Sequence, residues 1–175
     1  MNKQAVLQGW DHMRQVNGVG LRLIDLVPED KLDATVVPGM RTPKELLVHM
    51  YGQVVREVAE GAVTGTITDN CEKNEKQIAA GLKTKADVAR YCHECWNAAD
   101  KAVRSLPEDR VMGMTSTPWG MSFPGFVAFS LMSDEYIHHR GQLYTYLRLM
   151  GVKPPHLWSF ADNAEAFRPV AVASV

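Results

Sequence analysis

Nowhere in its 175 residues does the chain place about 18 apolar residues in a row, so no transmembrane helix is expected. Cysteine is scarce and odd in number, with three residues; this offers no disulfide framework and fits a reducing compartment. An excess of charge of either sign is missing too. Nineteen Lys and Arg stand against 20 Asp and Glu, a formal net charge of -1, which gives no electrostatic reason to expect nucleic acid or an anionic membrane as partner. The opening stretch "MNKQAVLQGWDHMRQ" lacks the apolar run of a secretory signal, so a cytoplasmic protein is expected. There is no G-x-S-x-G, no phosphate-cradling glycine loop and no H-E-x-x-H. The chain therefore supplies no recognisable nucleophile of its own.

What is present is ordinary globular composition, 46% hydrophobic and 22% charged, in a length suited to one domain over residues 1–175. The periodicity is helical almost throughout. Leu7, Trp10, Met13, Gly20, Leu23 and Val27 predict a first helix from about Lys3 that Pro28 stops. Thr42, Pro43 and Glu45 are the N-cap, N1 proline and N3 acid of a second, running to about Glu60. The glycine-bracketed segment after it reads as a loop with a short helix around Glu72 to Ala80. Thr84 and Asp87 open a third long helix that Pro107 closes. Ser122 is expected to cap the last, from about Pro124 to Met150, with Gly151 as its terminating glycine. Four long helices predict an all-α four-helix bundle, and the long first connection allows a topology other than up-down-up-down.

The C-x-x-C formed by Cys92 and Cys95 suggests a redox pair or half a zinc site, but no second pair completes four ligands. Both cysteines instead continue the seam Val88, Cys92, Cys95, Ala99, Ala102, Leu106, so they are expected in the core as small hydrophobes.

The chemistry lies on the last helix. Ala128, Met132, Glu135, His139, Gln142, Tyr146 and Leu149 recur at 4-3-4-3-4-3 spacing, one stripe that is apolar at both ends and polar in the middle, and its polar groups are expected to point inward. Glu135 and His139 are one turn apart, near enough to share a ligand. His49, on a stripe of the second helix with Leu46 and Gln53, is the candidate third partner. Two imidazoles and a carboxylate suit a divalent transition metal (zinc, nickel or iron) and leave positions open for water or substrate. The spacing is equally compatible with a buried Glu135–His139 pair beside a satisfied core histidine at position 49.

The segments "LVPEDKLDATVVPGMRTPKELLVHMYG", "PWGMSFPGFVAFSLMSDEYIHHRGQ" and "HHRGQLYTYLRLMGVKPP" resemble the DinB-like (DinB/YfiT) superfamily over most of the chain. That resemblance implies an up-down-down-up four-helix bundle with a metal triad, one histidine from the second helix and two, four residues apart, just before R-G-Q. His49 and His139 occupy the first and third places; Glu135 stands where the family usually has histidine. It further implies a metal-dependent transferase or isomerase using a low-molecular-weight thiol such as bacillithiol or mycothiol, held as thiolate, and a homodimer. A metal-dependent hydrolase and a non-catalytic, ligand-binding or stress-associated dimeric bundle are the alternatives.

Around these ligands, His138, four residues after Asp134, is expected to pair with it, outward or behind a ligand, rather than bind the metal, and Gln142 is placed as a partner for a bound ligand or a neighbouring helix. Tyr146 and Gln53 are pocket candidates, with Tyr146 more typical of core. Arg140 is expected in a structural pair and Gly141 at a close helix approach. His12, His93 and His156 have no spacing partners and are expected to be solvated or locally bonded.

Overall fold

The structure, a computed structural model, describes residues 1–170. The first helix, α1 (Lys3–Leu26), is capped by the Asn2 side chain, which accepts from the Ala5 amide. The second long helix is composite: α2 (Pro43–Val48), a π-helical stretch His49–Glu57, and α3 (Val58–Thr64), ended by Gly65 at φ 92°. Thr42 and Glu45 form the expected capping box. A fourth element, α4 (Asn70–Gly81), is a full helix of 12 residues where a short one was expected. Next come α5 (Lys85–Ser105), capped reciprocally by Thr84 and Asp87, and a single turn α6 (Glu108–Met112).

A small antiparallel hairpin follows, β1 (Met114–Ser116) on β2 (Ser122–Pro124), with Thr115 opposite Phe123. It corrects the expectation for Ser122, which sits in β2 and caps nothing; the last helix, α7 (Gly125–Leu149), starts without a side-chain cap. The local reason is a close backbone approach. A Cβ on Gly125 would lie 2.3 Å from the Arg110 carbonyl oxygen, so α7 begins where only glycine fits against α6.

Both α1 and the composite second helix pack on α5 and α7. This sets the first two long helices across the bundle from one another, an arrangement that the long Val27–Thr42 connection permits. Among the described residues no helix is long and apolar enough to cross a membrane. Tyr51 and Tyr136 meet at the centre, where both hydroxyls donate to Asn17 Oδ1, at 2.8 and 2.9 Å. Near one end Trp10 stacks on Trp96 at 4.6 Å between ring centres. The segment after α7 folds back on its own bundle. Asn163 Nδ2 donates to the Gln15 carbonyl at 2.9 Å and Arg22 to that of Ser159 at 3.0 Å.

Cys92 and Cys95 are buried on α5, as their seam predicts. Burial pushes both thiols up, that of Cys95 to about 11, so neither is a ready thiolate near neutral pH. Replacing both by Ala is expected to lower the melting temperature while leaving metal uptake unchanged; loss of uptake in that variant would contradict a purely structural role.

Candidate functional site

The polar stripe of α7 does not point uniformly inward. Ala128, Met132, His139 and Tyr146 are buried, Gln142 is half-buried, and Glu135 and Leu149 are exposed. The deepest seam runs instead through Tyr136, Leu143 and Leu147. A regular helix presents several overlapping stripes, and the line through Glu135 lies at the edge of the buried face rather than along its middle. Gly141 has open space where a Cβ would stand, so it marks no close approach. Arg140 is buried, with one Nη1 contact to the Val16 carbonyl at 3.5 Å.

His49 is brought to His139 as expected: the two rings meet edge to face with centres 4.8 Å apart. The neighbours decide how each ring is protonated. Gln142 donates from its amide nitrogen to His138 Nε2 (3.1 Å), which turns its carbonyl oxygen toward His139 Nδ1 at 2.9 Å. His139 must then carry its proton on Nδ1, leaving the Nε2 lone pair free. That lone pair faces the Glu135 carboxylate at 3.4 Å, and the buried Nε2 has no hydrogen-bond partner. Burial also lowers the His139 pKa despite the opposing Gln142 contact, so the ring stays neutral at neutral pH. Two electron-rich atoms thus confront each other with nothing positive between them.

The second carboxylate was not foreseen. Glu75, on α4, is buried and sits 3.3 Å from His49 Nδ1, close enough to attract it though short of hydrogen-bond alignment. Its two oxygens accept from Arg41 Nε at 2.8 and 2.9 Å, and Tyr146 OH donates to the Arg41 carbonyl at 2.8 Å. This chain of contacts biases the His49 proton to Nδ1 and leaves Nε2 for a ligand. Only the length of α4 and the buried position of an acid on it could have pointed to Glu75 beforehand, and its glycine-bracketed, polar surroundings hid both.

Burial pushes Glu75 up, but the facing His49 ring and the Arg41 guanidinium outweigh it and hold the carboxyl below its ordinary range. A depressed carboxylate contributes stability above its unfolded value, about 4.3, and loses it as pH falls through the folded value. Glu75→Gln is therefore expected to be less stable than the parent at pH 7, with the gap in urea midpoint closing as pH falls through the depressed folded value. A gap independent of pH would mean that the carboxylate charge contributes nothing.

Beside His49 opens a cleft of about 670 Å³ between the π-helical stretch, the start of α4, the β1–β2 hairpin and α7. Gln53, Glu135 and His138 line it with His49. Gln53 bridges to the Thr68 carbonyl at 3.2 Å. Tyr146 lies behind this wall, on the Arg41 side. His12, His93 and His156 are exposed, as expected. Among the described residues, no three His, Cys, Asp or Glu side chains converge closely enough to enclose an ion in this geometry.

The model of the DinB family matches residues 1–165. The chain belongs to the DinB family. Among solved structures it is similar to a DinB-like protein from Bacillus subtilis, with 18% identity, a TM-score of 0.65, and coverage of 83% of this chain and 92% of that one. A DinB family member from Exiguobacterium sibiricum gives 19% identity and a TM-score of 0.60, covering 85% and 91% of the two chains. A mycothiol-dependent maleylpyruvate isomerase gives 15% identity and a TM-score of 0.58, covering 95% of this chain and 66% of its own. No curated protein matches. At these identities the likeness concerns the fold, which the family match and the helical structure establish as DinB-like.

Proposed function

We propose that the chain is a metal-dependent enzyme of the DinB family that works with a low-molecular-weight thiol. The observation that carries the metal reading is the confrontation of His139 Nε2 with the Glu135 carboxylate at 3.4 Å, unbridged by any donor. A divalent cation would relieve it, and the His49 ring, 4.8 Å from that of His139 between centres, would be the second imidazole to hold it. The donors fit a transition metal in kind. Glu135, exposed and on a long side chain, is the member with freedom to complete the set.

When bound, such an ion supplies Lewis acidity and lowers the pKa of a thiol or water. The protein's own part is positional. Gln142 fixes the His139 tautomer, the Glu75–Arg41 pair fixes that of His49, and the cleft keeps the substrate end partly shielded from water. The thiol rests on likeness of fold to a neighbour described as mycothiol-dependent. A homodimer belongs to the same reading and is checked by sedimentation.

Elemental analysis of protein purified without an affinity tag is expected to find about one zinc, nickel or iron ion per chain. The metal-loaded protein is then expected to lower the apparent pKa of an added small thiol, followed by thiolate absorbance. Failure to take up any of these ions in titration would refute the metal reading; uptake with no effect on the thiol would refute the thiol alone.

A further inference from the structure

Charge is distributed unevenly in the cleft beside His49. Its wall is apolar, with Val54 and Val58 from the second helix, Ile67, Phe123 and Leu131 around them, and Trp119 at the hairpin tip. Its mouth carries three carboxylates, Glu72 on α4 and Asp134 and Glu135 on α7, and no Lys or Arg lines it. Among the described residues neither Glu72 nor Asp134 has a basic side chain within ion-pair distance, although this chain pairs its acids freely elsewhere. At the inner end lies the buried His49 ring, whose Nδ1 is turned to Glu75 outside the cleft.

We infer that this cleft takes a small organic amine, its apolar body against Trp119, Phe123 and Ile67 and its ammonium among Glu72, Asp134 and Glu135. In the metal-free protein an anionic compound is disfavoured by the same features, because its charge would meet like charges at the mouth with no basic side chain to receive it. The apolar wall alone would accept either; the sign of the rim selects between them. Trp119, more than half exposed at 53%, gives the ammonium or an aromatic ring a face to rest on. The inference deepens the metal reading, on which it rests only for the identity of the reactive end; the selection by charge needs no ion.

A matched series of 4-phenylbutylamine, 4-phenylbutanol and 4-phenylbutanoate tests it by calorimetry on the full chain, in chelator at low salt. Chelator denies the carboxylate any help from a metal and separates this result from that of the metal titration. The amine is expected to bind more tightly than the alcohol and about 30-fold more tightly than the carboxylate, with the preference shrinking in high salt. In Glu72→Gln/Asp134→Asn the ratio should fall below about 5-fold with alcohol affinity unchanged, and Trp119→Ala should weaken all three. Carboxylate binding equal to or tighter than amine binding, an unchanged ratio in the double variant, or no binding by any of the three would overturn the inference.

Discussion

His139→Ala and His49→Ala are each expected to lower zinc affinity by more than about 100-fold, beyond the loss typical of removing a group that merely supports a ligand. Each variant deletes an imidazole whose free nitrogen the surroundings have oriented. In His139→Ala, Gln142 loses its partner and the Glu135 carboxylate faces an empty position. Glu135 separates a metal site from a structural pair. Its side chain is 60% exposed, so Glu135→Leu should alter stability by no more than about 0.5 kcal/mol while affinity falls at least about tenfold. Glu135→His would install a third imidazole and should keep or tighten zinc binding. Competition against a chromophoric chelator gives the affinities, and thermal unfolding in chelator the stabilities. If Leu instead destabilised the protein as strongly with chelator as without, Glu135 and His139 would be a structural pair.

The second large effect is expected at Gly52, within the π-helical stretch between His49 and Gln53. A Cβ there would lie 2.2 Å from Cys71 Sγ and 2.3 Å from Tyr91 OH. Both groups are confined, with Cys71 buried and Sγ and the Tyr91 hydroxyl 3.6 Å from each other. Ala in place of Gly gains up to about 1 kcal/mol of helix propensity, but overpacking a filled site costs about 1–3 kcal/mol. Gly52→Ala should therefore destabilise the protein by about 1–2 kcal/mol, a drop of roughly 2–8 °C in melting temperature for a chain of this size. Because the clash pushes on α4, which carries Glu75, zinc affinity should fall as well. Adding Cys71→Ala removes the Sγ and should recover part of both losses, a coupling that a double-mutant cycle measures. Simple additivity would mean that the two residues do not press on each other.

The helices and several of their caps were legible in the sequence because these signals are local. A threonine three residues before an acid, a proline at the first helical position and an apolar residue every third or fourth place act within one or two turns, and Thr42, Thr84 and the α5 cysteine seam behave accordingly. His49, His139 and Gln142 were legible for a related reason, since polar side chains on an otherwise apolar face need a purpose. Tertiary structure decided the rest. The exposure of Glu135 depends on where α7 rolls against its neighbours, which spacing within one helix does not specify. The need for glycine at position 52, within the π-helical stretch, comes from Cys71 and Tyr91, which other helices bring against it. Glu75 reaches His49 only because α4 folds back on the second helix and Arg41 holds the carboxylate there. Residues far apart in the chain set these features, and the sequence records them only as residue types whose meeting the fold arranges.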